Sequence, residues 1–400
     1  MAFAGQADRG AAALWAMSTS AEESTSGERP GRLFDARSRA VAARVQEAAL
    51  PSGSVAVSCS APLGAGGLGR HVSEIVDTLA RRGQPTVCIS GSSRPAGAAR
   101  HRFGVPYLAS VLSASPVPLP MPAGTRTRAF MAEFDARATA QLPRAEHLIA
   151  FNGQSLAQAA RARRERYRSY QLVSANSHMR QVVRQHARAH RQYPLEGSWT
   201  ARMLGRNLAE YERADRIFVA SRYIRESFLQ EGFANEMLID FPLTPAPRFE
   251  PSGQRPASAC FEIVYIGSLA VHKGVPLLVD AFRRLGHGDL RLVLVGGWAS
   301  RGMRRFIEHA CAADRRISVG PGDPLPHLRS ARLVVHPAYE DGFAYAPAEA
   351  LACGVPVIVS EDTGMKELID SPRSGVIVPT GDLNALTAAI DAAYRGEIFS

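Results

Sequence analysis

Phe261-Glu-Ile-Val-Tyr-Ile-Gly267, Leu290-Arg-Leu-Val-Leu-Val-Gly296 and Leu333-Val-Val-His-Pro337 are short apolar runs, each closed by glycine or proline and followed by a stretch of helical composition. Runs this short and this continuously apolar read as strands buried on both faces, the condition of a parallel sheet. Working outward, the same pattern predicts strands over 316–319, 355–360 and 375–378. It predicts helices over 275–285, 302–313, 325–331, 345–353, 364–369 and 382–394. Strict strand–helix alternation requires right-handed crossovers and helices on both sheet faces. Upstream lies a second, fainter alternation, with strands expected over 54–60, 85–90, 147–151, 170–175 and 216–220. Helices are expected after the first strand and over 154–168, 206–213 and 223–230. The expected architecture is α/β, with two Rossmann-like domains facing a central cleft, at 51–245 and 258–400. They are joined by a proline-rich linker and preceded by a disordered or partly helical tail over 1–50, any helix there falling within 32–50.

The composition suits this. The chain has 400 residues, 46% of them apolar and 21% charged, enough for two domains with full cores. Its five cysteines are scattered, with no C-x-x-C pair, which argues for free thiols rather than a disulfide framework or structural zinc. The longest uncharged stretch, 103–125, holds five prolines and cannot run as a membrane-spanning helix. No secretory leader is visible, so the expected location is cytoplasmic, with a peripheral position at the inner face of the membrane as a further option. The net charge of +10 is concentrated in 161–216, with thirteen arginines against five acids. No aromatic interleaving or reading motif accompanies that charge, so nucleic acid is not an expected partner. Two readings remain for the segment: a solvated face, or a reversible contact with an anionic membrane.

Gly64-Ala-Gly66-Gly67-Leu-Gly69 follows a strand and opens a helix whose Val72, Ile75, Val76 and Leu79 form one apolar stripe. Its G-x-G-x-x-G spacing suits a phosphate at a helix N-terminus. A dinucleotide site also requires an acid after the second strand. None occurs between Asp77 and Glu133, which disfavours NAD and leaves an NADP oxidoreductase as a rival only through Arg94.

The richer chemistry is Asp341-Gly-Phe-Ala-Tyr-Ala-Pro-Ala-Glu349. Asp341 falls in a loop after a strand and Glu349 about one turn into the next helix. Both are expected at the carboxyl edge of the sheet, where such folds bind ligands. Gly342, Phe343, Ala344 and Tyr345 offer backbone N–H groups at the helix start. Glu349 presents two acceptor oxygens for the hydroxyls of a ribose. Lys273, after the strand ending at Gly267, supplies a cation for a diphosphate, and Gly296 closes the neighbouring strand. The bland alternative makes Asp341 a helix cap and Glu349 a solvated residue. His178, His186 and His190, within the arginine-rich segment, read as surface residues, and His272 as exposed loop. No histidine or acid cluster has metal-ligand spacing.

Gly67-Leu-Gly-Arg-His71, Ile266-Gly-Ser-Leu-Ala-Val-His-Lys-Gly274 and the segment from Asp341 through Glu349 to Ile358 resemble the retaining glycosyltransferases of family four, group 1, which have the GT-B fold. The resemblance runs from about residue 54 to the end of the chain. It implies a metal-independent enzyme without a cofactor, moving a sugar from a nucleoside-diphosphate sugar to a lipid-linked, polysaccharide or small-molecule acceptor. By the family pattern Lys273, Asp341 and Glu349 are the catalytic set. Glu349 would hold the ribose, Asp341 with the backbone of Phe343 and Ala344 the sugar, and Lys273 the diphosphate. Gly67, Ser268, Gly296, Gly342 and Tyr345 complete the donor site, while Gly66, His71 and Asn152 fall on the acceptor side. The chain departs from the pattern in carrying Asp341 for the usual Glu, and Ser268 where a basic residue is common, with Arg301 or Arg304 as substitutes. It also has Leu148-Ile-Ala-Phe-Asn-Gly153 for a His-x-His element. The family's long returning C-terminal helix would have to lie beyond Tyr394, and the sequence ends at Ser400. A non-catalytic or partner-dependent nucleotide-sugar binder is the competing implication.

Overall fold

A computed structural model describes residues 34–91, 100–103, 122–251, 260–320 and 322–399. The expectations for the first thirty residues, for Arg94 and for most of the proline-rich stretch 103–125 lie outside them. The described chain forms two compact units. One comprises Ala42–Val183 and Gly197–Leu243; the other comprises Arg184–Glu196 and Thr244–Ser400, with the described part of Ala12–Val41.

Helix α1 (Ala36–Ala49) precedes the first sheet. That sheet is parallel, with seven strands in the order β3-β2-β1-β4-β5-β6-β7. Its strands are β1 (Val55–Cys59), β2 (Thr86–Ser90), β3 (Arg100–Phe103), β4 (His147–Phe151), β5 (Ser169–Ser174), β6 (Arg216–Val219) and β7 (Leu238–Asp240). The helices are α2 (Gly66–Arg81), α3 (Ala123–Gln141), α4 (Leu156–Arg164), α5 (Met179–Gln192), α6 (Thr200–Tyr211) and α7 (Arg222–Leu229). The stripe on α2 is buried as its spacing requires, Val72, Ile75, Val76 and Leu79 all lying in the core.

Two helices, α3 and α5, and two edge strands, β3 and β7, were not legible in the sequence. Helix α3 buries only Gly124, Phe134, Asp135 and Ala138. Helix α5 (Met-Arg-Gln-Val-Val-Arg-Gln-His-Ala-Arg-Ala-His-Arg-Gln) presents Val182, His186 and Ala189 inward. Neither pattern has the apolar density from which a helix is read. Helix α5 also changes unit along its length: the sequence predicts a continuous domain over 51–245, but Arg184–Glu196 packs with the second sheet.

The second sheet is parallel in the order β10-β9-β8-β11-β12-β13. Its strands are β8 (Phe261–Ile266), β9 (Leu290–Val295), β10 (Ile317–Gly320), β11 (Leu333–His336), β12 (Val357–Ser360) and β13 (Gly375–Val378). Around it lie α8 (Val275–Arg283), α9 (Arg301–Ala313), α10 (Pro324–Ser330), α11 (Tyr345–Ala352), a 3-10 turn (Gly364–Leu368) and α12 (Leu383–Tyr394). One core on one face gathers Ile263, Tyr265, Leu292, Leu294 and Val335 with α8 and α12. The other gathers Val264, Val293, Val295 and Val334 with α11. Strand order reverses between β8 and β11, registered Leu333 to Ile263 and Val334 to Val264. A strand that leaves on one side of such a point and a strand that leaves on the other open a crevice beyond their carboxyl ends. The loops 267–274 and 337–344 both start there.

Candidate functional site

Asp341 is the centre of the cluster in the second unit. Its backbone is pinned to the loop after β12, its N–H donating to Asp362 O at 3.2 Å and its carbonyl accepting from Gly364 N at 3.0 Å. Its carboxylate Oδ2 accepts from Lys273 Nζ at 2.7 Å and from His336 Nε2 at 3.0 Å. For this, the His336 proton must sit on Nε2. Burial works to raise the Asp341 pKa, but the Lys273 ammonium and the His336 N–H outweigh it and hold the carboxyl well below the usual range. The acid is therefore ionised although its side chain is only 13% exposed.

Lys273 reaches Asp341 because the loop turns sharply at Gly274, the N-cap of α8, which has a left-handed φ of 72°. A Cβ there would lie 1.9 Å from the carbonyl oxygen of Pro337, so two backbones touch where only glycine fits. Gly274→Ala is expected to push the 271–274 and 337–341 loops apart. The loss should be about 2 kcal/mol or more from strain and misfit, read as a lowered midpoint in denaturant. A variant as stable as wild type would show that the two loops can separate freely.

The remaining donor-side residues lie on α11 and at the ends of neighbouring strands. Glu349 is fully buried on the second turn of α11. Ala344 is the N-cap of that helix and makes no side-chain cap, and Phe343 and Tyr345 meet edge to face at 5.4 Å. Gly342 is buried, while Ser268 is exposed and its carbonyl accepts from Tyr265 Oη at 2.8 Å. Gly296 lies against Gly267, where a Cβ would meet the carbonyl oxygen at 1.7 Å. Arg301 and Arg304 are exposed, and Arg304 pairs with Glu308 at 2.8 Å. No cluster of three or more His, Cys, Asp or Glu arranged for a metal occurs among the described residues.

In the first unit, Gly66 and Gly67 are exposed at the N-terminus of α2, whose N-cap Ala65 offers no side-chain hydrogen bond. His71 belongs to the core instead: it is 3% exposed, edge-on to Phe151 at 5.1 Å and stacked on Phe241 at 6.0 Å. Loss of water pushes its pKa down to about 3, so the ring is neutral. Asn152, at the end of β4, donates from Nδ2 to Asn207 at 3.0 Å. The turn after it is fixed by two carboxylates that no local motif marks. Glu210 accepts from the backbone N–H groups of Gly153 and Ser155, and Asp135 from those of Ala157 and Gln158, with Arg206 bridging both acids. Burial pushes Glu210 up to about 7 despite those donors.

Three histidines expected at the surface are not there: His178 and His186 are buried and His190 is partly so. The arginine-rich segment is likewise less free than its charge suggests. Arg161, Arg168, Arg180 and Arg206 pair with carboxylates, and Arg163, Arg188 and Arg213 donate to backbone carbonyls. No helix among the described residues is long and apolar enough to cross a membrane.

Residues 260–395 match the family described as Glycosyl transferases group 1. The chain resembles the group 1 glycosyltransferases, and its fold is GT-B. O-antigen chain mannosyltransferase B of Escherichia coli is 30% identical over 135 residues, 32% of this chain and 35% of that protein. The chain thus spans well under half the length of the curated relatives it matches first. Sucrose-phosphate synthase of Thermosynechococcus elongatus superposes with a TM-score of 0.66 at 20% identity, covering 86% of this chain and 90% of that one. Anabaena HepE in complex with UDP-glucose gives a TM-score of 0.60 at 15% identity, covering 86% and 90%. At such identities the likeness to these structures concerns the fold.

Proposed function

We propose that this chain is a glycosyltransferase that takes its sugar from a nucleoside-diphosphate sugar held by the second unit. The observation that carries the reading is the ionised Asp341 carboxylate, fixed between Lys273 and His336 where the strand order of the second sheet reverses. An acceptor-only carboxylate suits sugar hydroxyls. An ammonium has three N–H donors, and Lys273 spends one on Asp341, so others can reach a diphosphate. The family match over 260–395 and the UDP-glucose in HepE support the same chemistry.

In this reading Glu349 binds the ribose diol, and Asp341 with the N–H groups of Phe343 and Ala344 holds the transferred sugar. The reaction retains anomeric configuration by front-face attack. The acceptor hydroxyl forms the new glycosidic bond as the bond to the diphosphate breaks, and its proton passes to the departing phosphate oxygen. Lys273 stabilises the charge that grows there, so the reading assigns that role to the protein rather than to a metal. The acceptor is a polysaccharide, a lipid-linked sugar or a small molecule; the relatives include an O-antigen chain mannosyltransferase and a D-inositol 3-phosphate glycosyltransferase.

A thermal-shift panel of UDP, GDP, ADP and NADPH tests the donor class. A ligand at a hundred times its Kd stabilises by about 2.7 kcal/mol. Stabilisation by at least one nucleoside diphosphate is expected, and stabilisation by NADPH alone would overturn the reading. Glu349→Gln is expected to weaken that nucleotide about ten- to a hundredfold, the cost of losing a charge-assisted acceptor. Calorimetric titration against the matching 2′-deoxynucleotide checks the ribose assignment, since the variant and the deoxy ligand should lose the same contact. If both losses add in full, Glu349 does not hold the diol.

A further inference from the structure

The loop that carries Lys273 is gripped from outside its own half of the sequence. Residues 184–196 come between β5 and β6, strands of the first sheet, yet they pack with the second unit. Ala189 is fully buried in the core that contains Tyr265, Val271 and Tyr339, and Tyr193 and Leu195 pack against it. The segment then lands on the site from several directions. Glu196, its side chain only 8% exposed, accepts from the backbone N–H of Val271 at 2.8 Å, two residues before Lys273. The His186 ring stacks on His272, immediately before Lys273, with centroids 4.3 Å apart and planes 21° from parallel. Gln185 donates to Asp362 Oδ2 at 2.9 Å, and Asp362 is the residue whose carbonyl holds the Asp341 N–H. Tyr339, two residues before Asp341, donates its hydroxyl to Gln192 at 2.5 Å. Both halves of the ion pair are thus braced by one foreign segment, which lies outside the matched residues 260–395.

We infer that residues 184–196 are a positioning strap for the Lys273–Asp341 pair, with Glu196 and His186 as its principal positioning residues. The inference rests on the proposed role of Lys273 at the diphosphate. A flexible ammonium can stabilise a leaving group only if its stem begins in the right place, and a displacement of about 1 Å is enough to cost roughly a hundredfold in rate. The anchor of that stem is the 271–274 turn. Glu196 fixes its start through a hydrogen bond, and His186 fixes the next residue through ring contact. Neither residue touches the reacting atoms; each acts through Lys273.

The test is a double-mutant cycle, because a residue that acts only through another has no effect once the other is gone. Glu196→Ala and His186→Ala are each expected to lower kcat about ten- to fiftyfold with KM changed less than threefold. Glu196→Gln, whose amide oxygen can still accept from Val271 N–H, and His186→Phe, which keeps a ring to stack, should recover most of the rate. In the Lys273→Ala background the alanine variants should cost less than twofold further. Full additivity there, or losses in kcat that the conservative variants share, would overturn the strap. Denaturant midpoints are read in parallel, and if either alanine variant does not fold, the cycle is run with Glu196→Gln and His186→Phe against Gln185→Ala. In that set the strap predicts a loss for Gln185→Ala and near wild-type rates for the other two. Binding of UDP, GDP and ADP to wild-type protein separates the two ideas: no binding of any removes the proposed function, whereas binding and turnover indifferent to the strap variants remove only the strap.

Discussion

Lys273→Ala is expected to lower kcat for sugar transfer by about two to three orders of magnitude, with a much smaller change in KM. The leaving diphosphate gains charge as the glycosidic bond breaks, so an ammonium aimed at it stabilises the transition state more than the bound donor. Removing one such preorganised group typically costs a factor of about 10² to 10³. The ion pair adds a second consequence. Without Lys273, Asp341 keeps only His336, and a carboxylate left largely buried without its cation costs about 3 kcal/mol or more. Asp341 has a depressed pKa in the folded protein, so its contribution is complete above the unfolded value near 3.8 and is lost as pH falls further. In the variant that contribution shrinks, and acid unfolding begins at higher pH. Lys273→Arg should recover stability better than rate, since the planar fork can pair with Asp341 but cannot take the position of a compact ammonium. Steady-state kinetics over a range of donor concentrations, and unfolding curves from pH 3 to 7, check both parts. A rate within threefold of wild type would leave Lys273 as a structural partner of Asp341 and nothing more.

The second large effect is on acid stability, through His71. Its folded pKa is depressed from 6.5 to about 3 by burial, so between those values the unfolded chain binds a proton that the native state refuses. Stability contributed by the neutral ring is therefore fully present above about pH 6.5 and is lost as pH falls toward 3. The slope is about 1.4 kcal/mol per pH unit, which sums to roughly 5 kcal/mol. Nε2 of His71 has no hydrogen-bond partner among the described residues, while the ring sits between Phe151 and Phe241. His71→Phe should keep the packing, remove an unsatisfied polar atom and raise stability at pH 7 by about 1 kcal/mol. It should also flatten the fall in stability of the first unit between pH 6 and 4 by about one proton. An unchanged slope would mean that the ring already finds water, and that its burial does not exclude a charge.

How plainly each element showed in the sequence tracks how much apolar side chain it buries. Strands β9, β11 and β12 have every or nearly every position in the core and β8 buries its centre, Ile263 to Tyr265; their runs of Val, Leu and Ile announce it. Helix α5 buries histidine and alanine beside one methionine and one valine, and helix α3 buries an aspartate that serves as a hydrogen-bond acceptor for another helix, so hydropathy passes over both. The site divides in the same way. Lys273 and Asp341 stand in motifs whose glycines and spacing carry their own reason, and the structure joins them at 2.7 Å. His336 ends a strand and reads as one more strand residue. The one available signal was its place five positions before an acid in a loop that turns back. Glu196 and His186 act across 75 and 86 residues of chain, on Val271 and His272, and nothing local marks such a contact.

The interleaving of residues 184–196 also fixes an order of events as the chain is made. The C-terminal sheet cannot complete its interior from residues beyond the linker alone, because Ala189 and the Glu196 carboxylate emerge from the ribosome more than sixty residues before β8 does. That peptide must wait, solvated and unmatched, until its partners are synthesised. Residues 258–400 expressed alone should therefore yield a sheet with an open seam along Val271 and Tyr339, prone to self-association and to protease nicking at that seam. Adding a synthetic peptide covering 184–196 in trans should close the seam and protect it.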